Sequence, residues 1–457
     1  MTALLYLLGV LIFVGAILVS IGLHELGHMI PAKKFGGKVT QYFIGFGPTV
    51  WSKQVGETEY GVKAIPLGGY VKIVGMLPPG ADDLVDEVTY DEHGNRVQKI
   101  RKSNTGMFTQ LISDARAAEW ELVRPEDSDR LFYKMPSWKK VVVMAGGPTV
   151  NLLIAFFLFW GLFATHGIER DRVPAEGAPV VATISDCVLP AAESSRECSS
   201  ADPDTPAKAM GLEPGDRIVG FNGTTVTGWD QLRSLITGYQ GGDAPVTIDV
   251  VRDGAPREVS GPLVVSARPV EPGSTTTAEV PFLGVSPTQV SIVEKGGPLF
   301  TLGEMGHMTV DTVQAIGTLP VKVFGVAKAI VGVEDRAVDS PVSIVGGGRF
   351  AGEAASDDVA TTSDKVFFLV ALVAGFNLFI GMFNFVPLLP LDGGHIASAL
   401  WEAIRRGIAR LRRRPDPGYV DAAKLLPVAY VVGSVILVMG VVLIVGDLVV
   451  PVASPFG

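Results

Sequence analysis

Histidine, cysteine and basic surface segments are all scarce in this chain of 457 residues. Its formal net charge is −9, and no stretch interleaves basic with aromatic residues, which argues against a nucleic-acid-binding protein. Only six histidines are present, so a metal-ligand spacing among them seldom arises by chance. The two cysteines, Cys187 and Cys198, allow a single disulfide within the chain.

Charge is missing altogether from four long segments, residues 3–23, 141–165, 366–391 and 425–446. Each is long enough to cross about 30 Å of hydrocarbon as a helix, which predicts a polytopic membrane protein. The first segment has no basic region before it and leads directly into a metal motif. We therefore interpret it as a retained helix and not as a cleaved signal peptide.

Basic residues near the ends of these segments predict the orientation. Three lysines follow the first segment, two precede the second, and six arginines lie between the third and fourth. Loops 31–139 and 394–424 are therefore predicted to be cytoplasmic, and residues 169–365 lie outside the cytoplasm.

The sequence His24-Glu25-Leu26-Gly27-His28 stands at the end of the first apolar segment. On a helix, His24 and His28 share one face, and Glu25 is adjacent to His28. Two imidazoles on one cation, with a carboxylate beside the water that the cation activates, are typical of zinc hydrolases. Ionisable groups at membrane depth are costly, which also favours a functional site.

A zinc site needs a third ligand and an open position. Asp392 is the carboxylate near the end of the third segment, on the same predicted side as the two histidines, and His395 is a competing candidate. Two prolines and two glycines around Asp392 break the helix, which lets the carboxylate turn inward. Two polar amides in the same segment, Asn377 and Asn384, either hold an extended substrate or an oxyanion, or bind other helices.

Other segments support less specific predictions. Residues 45–48 and 59–71 have strand composition and suggest a hairpin, either dipping to membrane depth or lying in the cytosol. Residues 78–130 suggest a cytoplasmic insertion with a helix over 108–121. Gly146 to Asn151 suggests close helix packing with Asn151 as a polar tie. Residues 298–333 predict amphipathic helix interrupted by Pro320, and not a fifth crossing.

The external section begins with a strand over 180–184 and a loop that holds both cysteines, for which we predict a Cys187–Cys198 disulfide. Residues 206–223 contain Gly-Leu-Glu-Pro-Gly-Asp-Arg-Ile, and a helix over 229–239 and a hairpin at Asp253-Gly254 follow. This order resembles a circularly permuted bacterial PDZ domain over 178–290. The resemblance implies a carboxylate-binding loop at Phe282, Leu283, Gly284 and Val285.

Taken together, the motifs resemble the site-2 protease family, in particular its bacterial PDZ-containing subgroup typified by the regulator-of-sigma-E protease. The matching stretches are the metal motif, 66–71, 147–151, 340–344 and 384–395. The resemblance implies His24, His28 and Asp392 as Zn²⁺ ligands and Glu25 as catalytic base. It implies a re-entrant hairpin, including Gly68 and Gly69, that holds substrate by strand addition.

The resemblance also implies regulated intramembrane proteolysis in a bacterial inner or plasma membrane. Its substrates would be membrane proteins, typically anti-sigma factors, that another protease has already trimmed. Two other functions fit parts of the sequence: a non-enzymatic membrane scaffold that captures peptide C-termini, and a zinc hydrolase acting on lipids or small molecules.

The predicted fold is a polytopic α-helical membrane protein with four transmembrane helices, a re-entrant β-hairpin and an inserted α/β PDZ domain. The predicted segments are transmembrane helix 1 with the metal motif (1–30), the re-entrant β region (31–77), the cytoplasmic insertion (78–139), helix 2 (140–166), the PDZ domain (178–290), amphipathic helices (298–360), helix 3 ending in Leu391-Asp392-Gly393 (366–391) and helix 4 (425–450).

Overall fold

The computed structural model describes residues 2–78, 88–90, 96–98, 107–120, 123–174, 177–189, 198–199, 202–269 and 277–454. The chain forms two compact units. The first unit comprises Met1–His166 and Gly296–Gly457, and the second is the segment Gly167–Lys295 inserted between them.

The helices of the first unit, in chain order, are α1 Thr2–Lys34, α2 Met107–Trp120, α3 Ser137–Thr165, α6 Pro298–Ile330, α7 Ile344–Ser356, α8 Thr362–Asn384, α9 Asp392–Leu411 and α10 Leu426–Val449. The second unit contributes α4 Pro206–Ala209 and α5 Trp229–Thr237. The predicted helix of the insertion thus spans Met107–Trp120, while most of the insertion around it lies outside the described residues.

Five helical segments of the described chain are long and apolar enough to cross a membrane: α1, α3, α6, α8 and the segment Ala422–Val449 that contains α10. The chain therefore has the architecture of a polytopic membrane protein. The expected interruption at Pro320 is wrong, because Pro320 lies inside the continuous helix α6. Proline removes one backbone donor, but apolar helices tolerate it where neighbouring groups satisfy the freed carbonyl.

Helices α1 and α3 pack antiparallel with their backbones in close contact. A Cβ atom added to Gly27, near the end of α1, would lie 2.5 Å from the carbonyl oxygen of Gly146, near the start of α3. Glycine is therefore required at this crossing, because any side chain would push the two helices apart. Helix α8 runs antiparallel to α3, and the His166 ring nitrogen Nε2 lies 2.7 Å from the Ser363 hydroxyl at its start.

The predicted break of the helix around Asp392 is present, but the predicted end of the third transmembrane helix at residue 391 is wrong. Helix α8 ends at Asn384, and α9 begins at Asp392. Pro387 and Pro390 lie between them and cannot continue a helix. The intervening turn is tight, since a Cβ atom on Gly393 would lie 2.2 Å from the carbonyl oxygen of Val386. Asp392 therefore begins a helix and does not end one.

A long bent hairpin follows α1, formed by β1 Val39–Val55 and β2 Thr58–Ile73. Both strands fold back on themselves, so that residues 41–44 pair with 59–62 on one side and with 69–72 on the other. Residues 51–54 complete the sheet by pairing with 59–62. Among the described strands, 69–72 is thus an edge of the sheet. A short hairpin in the insertion pairs β3 Val88–Tyr90 with β4 Arg96–Gln98.

The strands of the second unit are β5 Ile168–Arg172, β6 Val181–Ile184, β7 Arg217–Phe221, β8 Thr224–Thr225, β9 Pro245–Arg252, β10 Ala255–Pro262, β11 Val264–Pro269, β12 Thr277–Phe282, β13 Val285–Pro287 and β14 Val290–Glu294. The largest sheet has the order β10-β9-β7-β8, and three two-stranded sheets pair β11 with β12, β13 with β6, and β14 with β5.

The core of the second unit is apolar, and Leu232 of α5 packs there with side chains such as Ile218 and Ile248. At its edge, Arg252 donates two hydrogen bonds of 2.7 Å to the fully buried carboxylate of Asp216. This arginine lowers the pKa of Asp216 below its ordinary value. Cys187 and Cys198 are joined by a disulfide with a Cα–Cα distance of 5.9 Å, and residues 190–197 between them lie outside the described residues.

Candidate metal centre

The metal motif lies in the last three turns of α1. One helical turn brings the ring nitrogens Nε2 of His24 and His28 within 3.2 Å of each other. His28 and Glu25 are both buried, and only 9% of Glu25 is exposed. His24 is half-buried. Two imidazoles with converging nitrogens are an arrangement that binds a divalent cation.

Asp392, the first residue of α9, supplies the third donor. Its Oδ2 atom lies 3.4 Å from His24 Nε2 and 3.3 Å from His28 Nε2. Of the described His, Cys, Asp and Glu side chains, these three form the group that could hold a metal ion, with ligand atoms within 4.8 Å of one another. His395 is not in this group; it lines a small cavity with Lys140 and Glu402.

The other ring nitrogen of each histidine is held by an oxygen acceptor on α3. His24 Nδ1 lies 3.2 Å from Asn151 Oδ1, and His28 Nδ1 lies 2.8 Å from the backbone carbonyl oxygen of Val143. An Nδ1–H that donates to these oxygens leaves Nε2 free as a ligand atom. Two such imidazoles and one carboxylate match the donor set of catalytic zinc sites.

The groups that surround the two histidines on α3 differ in how far the sequence indicates them. Asn151 was predicted to be a polar tie between helices, and it contacts a metal-motif histidine. The Val143 contact uses a backbone carbonyl, so no side chain could have indicated it. Gly147 was also missed: a Cβ atom there would lie 2.3 Å from His28 Nε2. Its signal is the Gly146-Gly147 pair inside an apolar helix.

Glu25 lies beside the three donors but is not one of them. No hydrogen bond engages its carboxylate among the described residues, which leaves both oxygens available to a proton. The carboxylate faces a cavity of about 550 Å³ that also reaches His24, His28 and Asp392. An unpaired carboxylate in a buried site is suited to proton transfer and not to structural support.

The residues predicted to bind substrate divide into three groups. Gly68, Gly69 and Asn384 line the cavity that holds Glu25. Asn377 does not line it: its carbonyl oxygen accepts a hydrogen bond from Ser20, and its amide donates to the Val373 carbonyl at 2.8 Å. Asn377 therefore joins α8 to α1.

The third group, 282–285, belongs to the second unit. The carbonyl oxygen of Leu283 accepts from the Ala207 N–H at 2.8 Å, and that of Gly284 accepts from the Ser185 N–H at 2.9 Å. Val285 begins β13 and pairs with Ile184 of β6. The loop is thus fixed within its own unit.

Two ion pairs, one buried and one partly buried, join elements of the first unit. Lys140 of α3 binds Glu402 of α9 at 2.9 Å, with at most 7% of either side chain exposed. Lys38, before β1, binds Asp127 at 2.7 Å and lowers the pKa of that carboxyl group. The first pair joins the helix that orients the histidines to the helix that begins with Asp392.

The sequence model of peptidase family M50 matches residues 12–415. The chain belongs to peptidase family M50. It is 32% identical over 456 residues to the zinc metalloprotease Rip1 of Mycobacterium tuberculosis, covering 98% of this chain and 99% of that protein. It is 31% identical over 456 residues to Rip1 of Mycolicibacterium smegmatis, covering 98% of each.

Membership of peptidase family M50 confirms the resemblance to the site-2 protease family, and the PDZ-containing subgroup stays a prediction. The protein is a zinc metallopeptidase of the membrane, and Zn²⁺ is its cofactor. The donor set of His24, His28 and Asp392 fits that ion. Glu25 and the cavity lie beside that donor set.

Proposed function

We propose that this protein is an intramembrane endopeptidase that cleaves transmembrane segments of single-pass membrane proteins. The observation that carries the proposal is the location of His24, Glu25 and His28 on α1, a helix long and apolar enough to span a membrane. A site on such a helix is within reach of peptide bonds that soluble proteases do not meet.

The residues divide the chemistry between them. His24, His28 and Asp392 would hold Zn²⁺, which when bound polarises a carbonyl group and acidifies a water molecule. Glu25 accepts the proton of that water and returns it to the leaving amine. Asn151 and the Val143 carbonyl keep the two imidazoles in one tautomer and orientation.

A transmembrane helix hides its peptide bonds, so the substrate must unwind locally before cleavage. The edge strand 69–72 would replace the lost backbone hydrogen bonds by strand addition. In support of this role, Gly68, Gly69, Tyr70 and Val71 line the cavity that holds Glu25. Asn384 lines the same cavity and would bind the extended substrate backbone.

Four of the five apolar helices would cross the membrane, with α6 remaining on one side. The Gly296 N–H bonds to the Phe163 carbonyl at 3.2 Å, so α6 starts on the side where α3 ends. Helix α8 starts on that side too, next to His166. Between α6 and α8, α7 has 13 residues, which is too short for a return crossing.

The second unit would be an extracytoplasmic PDZ domain that controls substrate access. The charge distribution of the loops supports its location outside the cytoplasm, and its sequence order supports the PDZ assignment. The substrates would be proteins already trimmed by another protease, with bacterial anti-sigma factors as the expected class. The domain would hold a new C-terminus through the 282–285 loop and exclude bulky untrimmed proteins.

A deletion tests the gating role. Replacing residues 167–295 with a short Gly-Ser linker is feasible because Phe163 and Gly296 are already hydrogen-bonded. We expect the deletion variant to bind Zn²⁺, to cleave a trimmed substrate, and to cleave the untrimmed form faster than the intact protein does. Loss of cleavage of the trimmed form, with zinc and fold retained, would contradict gating.

The proteolytic function is tested by incubating the purified protein in lipid nanodiscs with single-pass membrane proteins. We expect chelator-sensitive cleavage within the transmembrane segment that returns when Zn²⁺ is restored. Hydrolysis of the lipid or of small esters without peptide cleavage would identify a different zinc hydrolase. Capture of peptide C-termini without any hydrolysis would identify a scaffold.

A further inference from the structure

Helix α9 presents an apolar stripe that no described part of the protein covers. Five large apolar side chains on it are each at least 45% exposed, and their spacing of one, three and four residues places them on one face. They are Leu400, Trp401, Ile404, Ile408 and Leu411. The opposite face, with Ala399 and Glu402, is buried against the first unit.

Positive charge surrounds the end of this stripe. The side chains of Arg410, Arg412, Arg413 and Arg414 are exposed and form no ion pair with a described residue. Neighbouring Arg405 and Arg406 are already engaged, the first by the Pro417 carbonyl and the second by Glu402 and Asp416. The two acidic residues of α9, Asp392 and Glu402, are occupied at the metal centre and in the buried ion pair.

The chain connections hold α9 near a membrane surface. It follows α8 and precedes α10, which both belong to segments long and apolar enough to span a bilayer. Helix α9 is not such a segment. A helix with an exposed apolar stripe, flanked by arginines and held between the ends of two spans, has the features of an interfacial helix.

We propose that α9 lies in the membrane interface and binds anionic phospholipids. Its apolar stripe would enter the boundary between headgroups and acyl chains, and the four free arginines would contact lipid phosphate groups. Because α9 begins with Asp392, its depth in the leaflet also sets the depth of the metal ligand. This lipid site is separate from the cavity that holds Glu25.

The experiment places one spin label on the stripe. Both native cysteines form the disulfide, so an Ile404→Cys variant of the full chain carries a single free thiol. The protein is reconstituted in nanodiscs of neutral phosphatidylcholine, or of phosphatidylcholine with phosphatidylglycerol. Collisions of the label with oxygen report lipid, and collisions with a water-soluble nickel complex report solvent. Ala403→Cys, exposed on another side of the helix, is the matched control.

We expect the label at 404 to be accessible to oxygen, protected from nickel, and deeper when phosphatidylglycerol is present. The label at 403 should be more accessible to nickel. Access of the 404 label to nickel in both lipids would overturn the proposal. Protection from both reagents would also overturn it, because that result indicates a protein partner covering the stripe.

The arginines are tested by the triple variant Arg410→Gln, Arg412→Gln and Arg414→Gln. Its preference for phosphatidylglycerol over phosphatidylcholine should fall by about fivefold for each arginine removed, as measured by native mass spectrometry of bound lipids. A control removes three arginines of the second unit, of which Arg217 and Arg257 are exposed and Arg233 is half-buried: Arg217→Gln, Arg233→Gln and Arg257→Gln. An equal loss in both variants would show that net charge, and not α9, determines the preference.

Discussion

The two units of the chain bury polar groups for different purposes. In the first unit, buried Glu25, His28 and Asn151 converge on one cavity, and further buried polar side chains join its helices. In the second unit, the core is apolar, and the buried carboxylate of Asp216 is neutralised by Arg252. Polar burial in the first unit thus includes groups left free to react, whereas in the second it serves stability.

This difference separates the effects of mutations. A change at a reactive buried group should reduce catalysis and leave the fold intact, because that group has no partner to lose. A change at a paired buried group should reduce stability, because the partner is left charged and unsatisfied. The two units should therefore respond independently.

The largest expected effect is that of Glu25→Gln in the first unit. We expect cleavage to fall by about 10²–10⁴-fold, the usual contribution of a general base, while zinc content and thermal stability stay at wild-type values. Rates of transmembrane-peptide cleavage and metal analysis of the same preparation measure both. Glu126→Gln makes the same substitution at an exposed glutamate and is the control. Loss of zinc from Glu25→Gln would assign Glu25 as a ligand.

The next effect concerns the second unit. Asp216→Ala leaves the Arg252 guanidinium without its buried partner and should destabilise this unit by about 3 kcal/mol. Hydrogen exchange of the β9 peptide in the intact protein measures the loss. Zinc content should not change. A wild-type exchange rate in the variant would show that the Asp216–Arg252 pair contributes little to the stability of the second unit.

A smaller effect is expected for Asn151→Ala, which removes the acceptor of His24 Nδ1. Loss of such an orienting group should weaken zinc binding by about 10- to 100-fold, as measured by competition with a chromogenic chelator. Asn377→Ala removes another buried amide of the same helix bundle that does not contact the metal group, and it serves as the control. Equal weakening in both variants would indicate a general packing effect.

The smallest effect is a pH dependence confined to the second unit. Hydrogen bonds from Arg252 lower the pKa of Asp216 in the folded protein. The resulting stabilisation is present above the unfolded pKa of about 3.9 and is lost as the pH falls through the lower folded value. Urea unfolding of the excised 167–295 segment should therefore show stability falling below about pH 4. In Asp216→Asn this fall should be shallower, and an unchanged slope would contradict the assignment.

Much of the metal centre could be predicted from sequence because it depends on local geometry. Helical spacing alone brings His24 and His28 together, and the charge-free segments indicate the helices that carry them. Asp392 was found by its solitary position and by the prolines and glycines that break the helix around it, although α8 ends at Asn384 and not at the predicted residue 391.

Contacts between residues far apart in the chain could not be predicted. Lys140 and Glu402 are 262 residues apart, and nothing in either segment indicates the other. The sequence predicted two alternative roles for Asn377, substrate binding and helix packing. It could not choose between them, because an amide in an apolar helix is suited to both. Whether a helix continues through a proline such as Pro320 depends on whether neighbouring groups satisfy the freed carbonyl. The local sequence does not contain that information.

The central claim is that two histidines and Asp392, and not His395, hold the zinc ion. X-ray absorption spectroscopy of the zinc-loaded protein tests it most directly, because imidazole rings produce outer-shell scattering that carboxylates lack. We expect two imidazoles and oxygen donors at about 2.0–2.2 Å in the wild type. The spectrum of His395→Ala should be the same, and Asp392→Ala should lose most of its zinc. Three imidazoles in the wild type, falling to two in His395→Ala, would contradict the account.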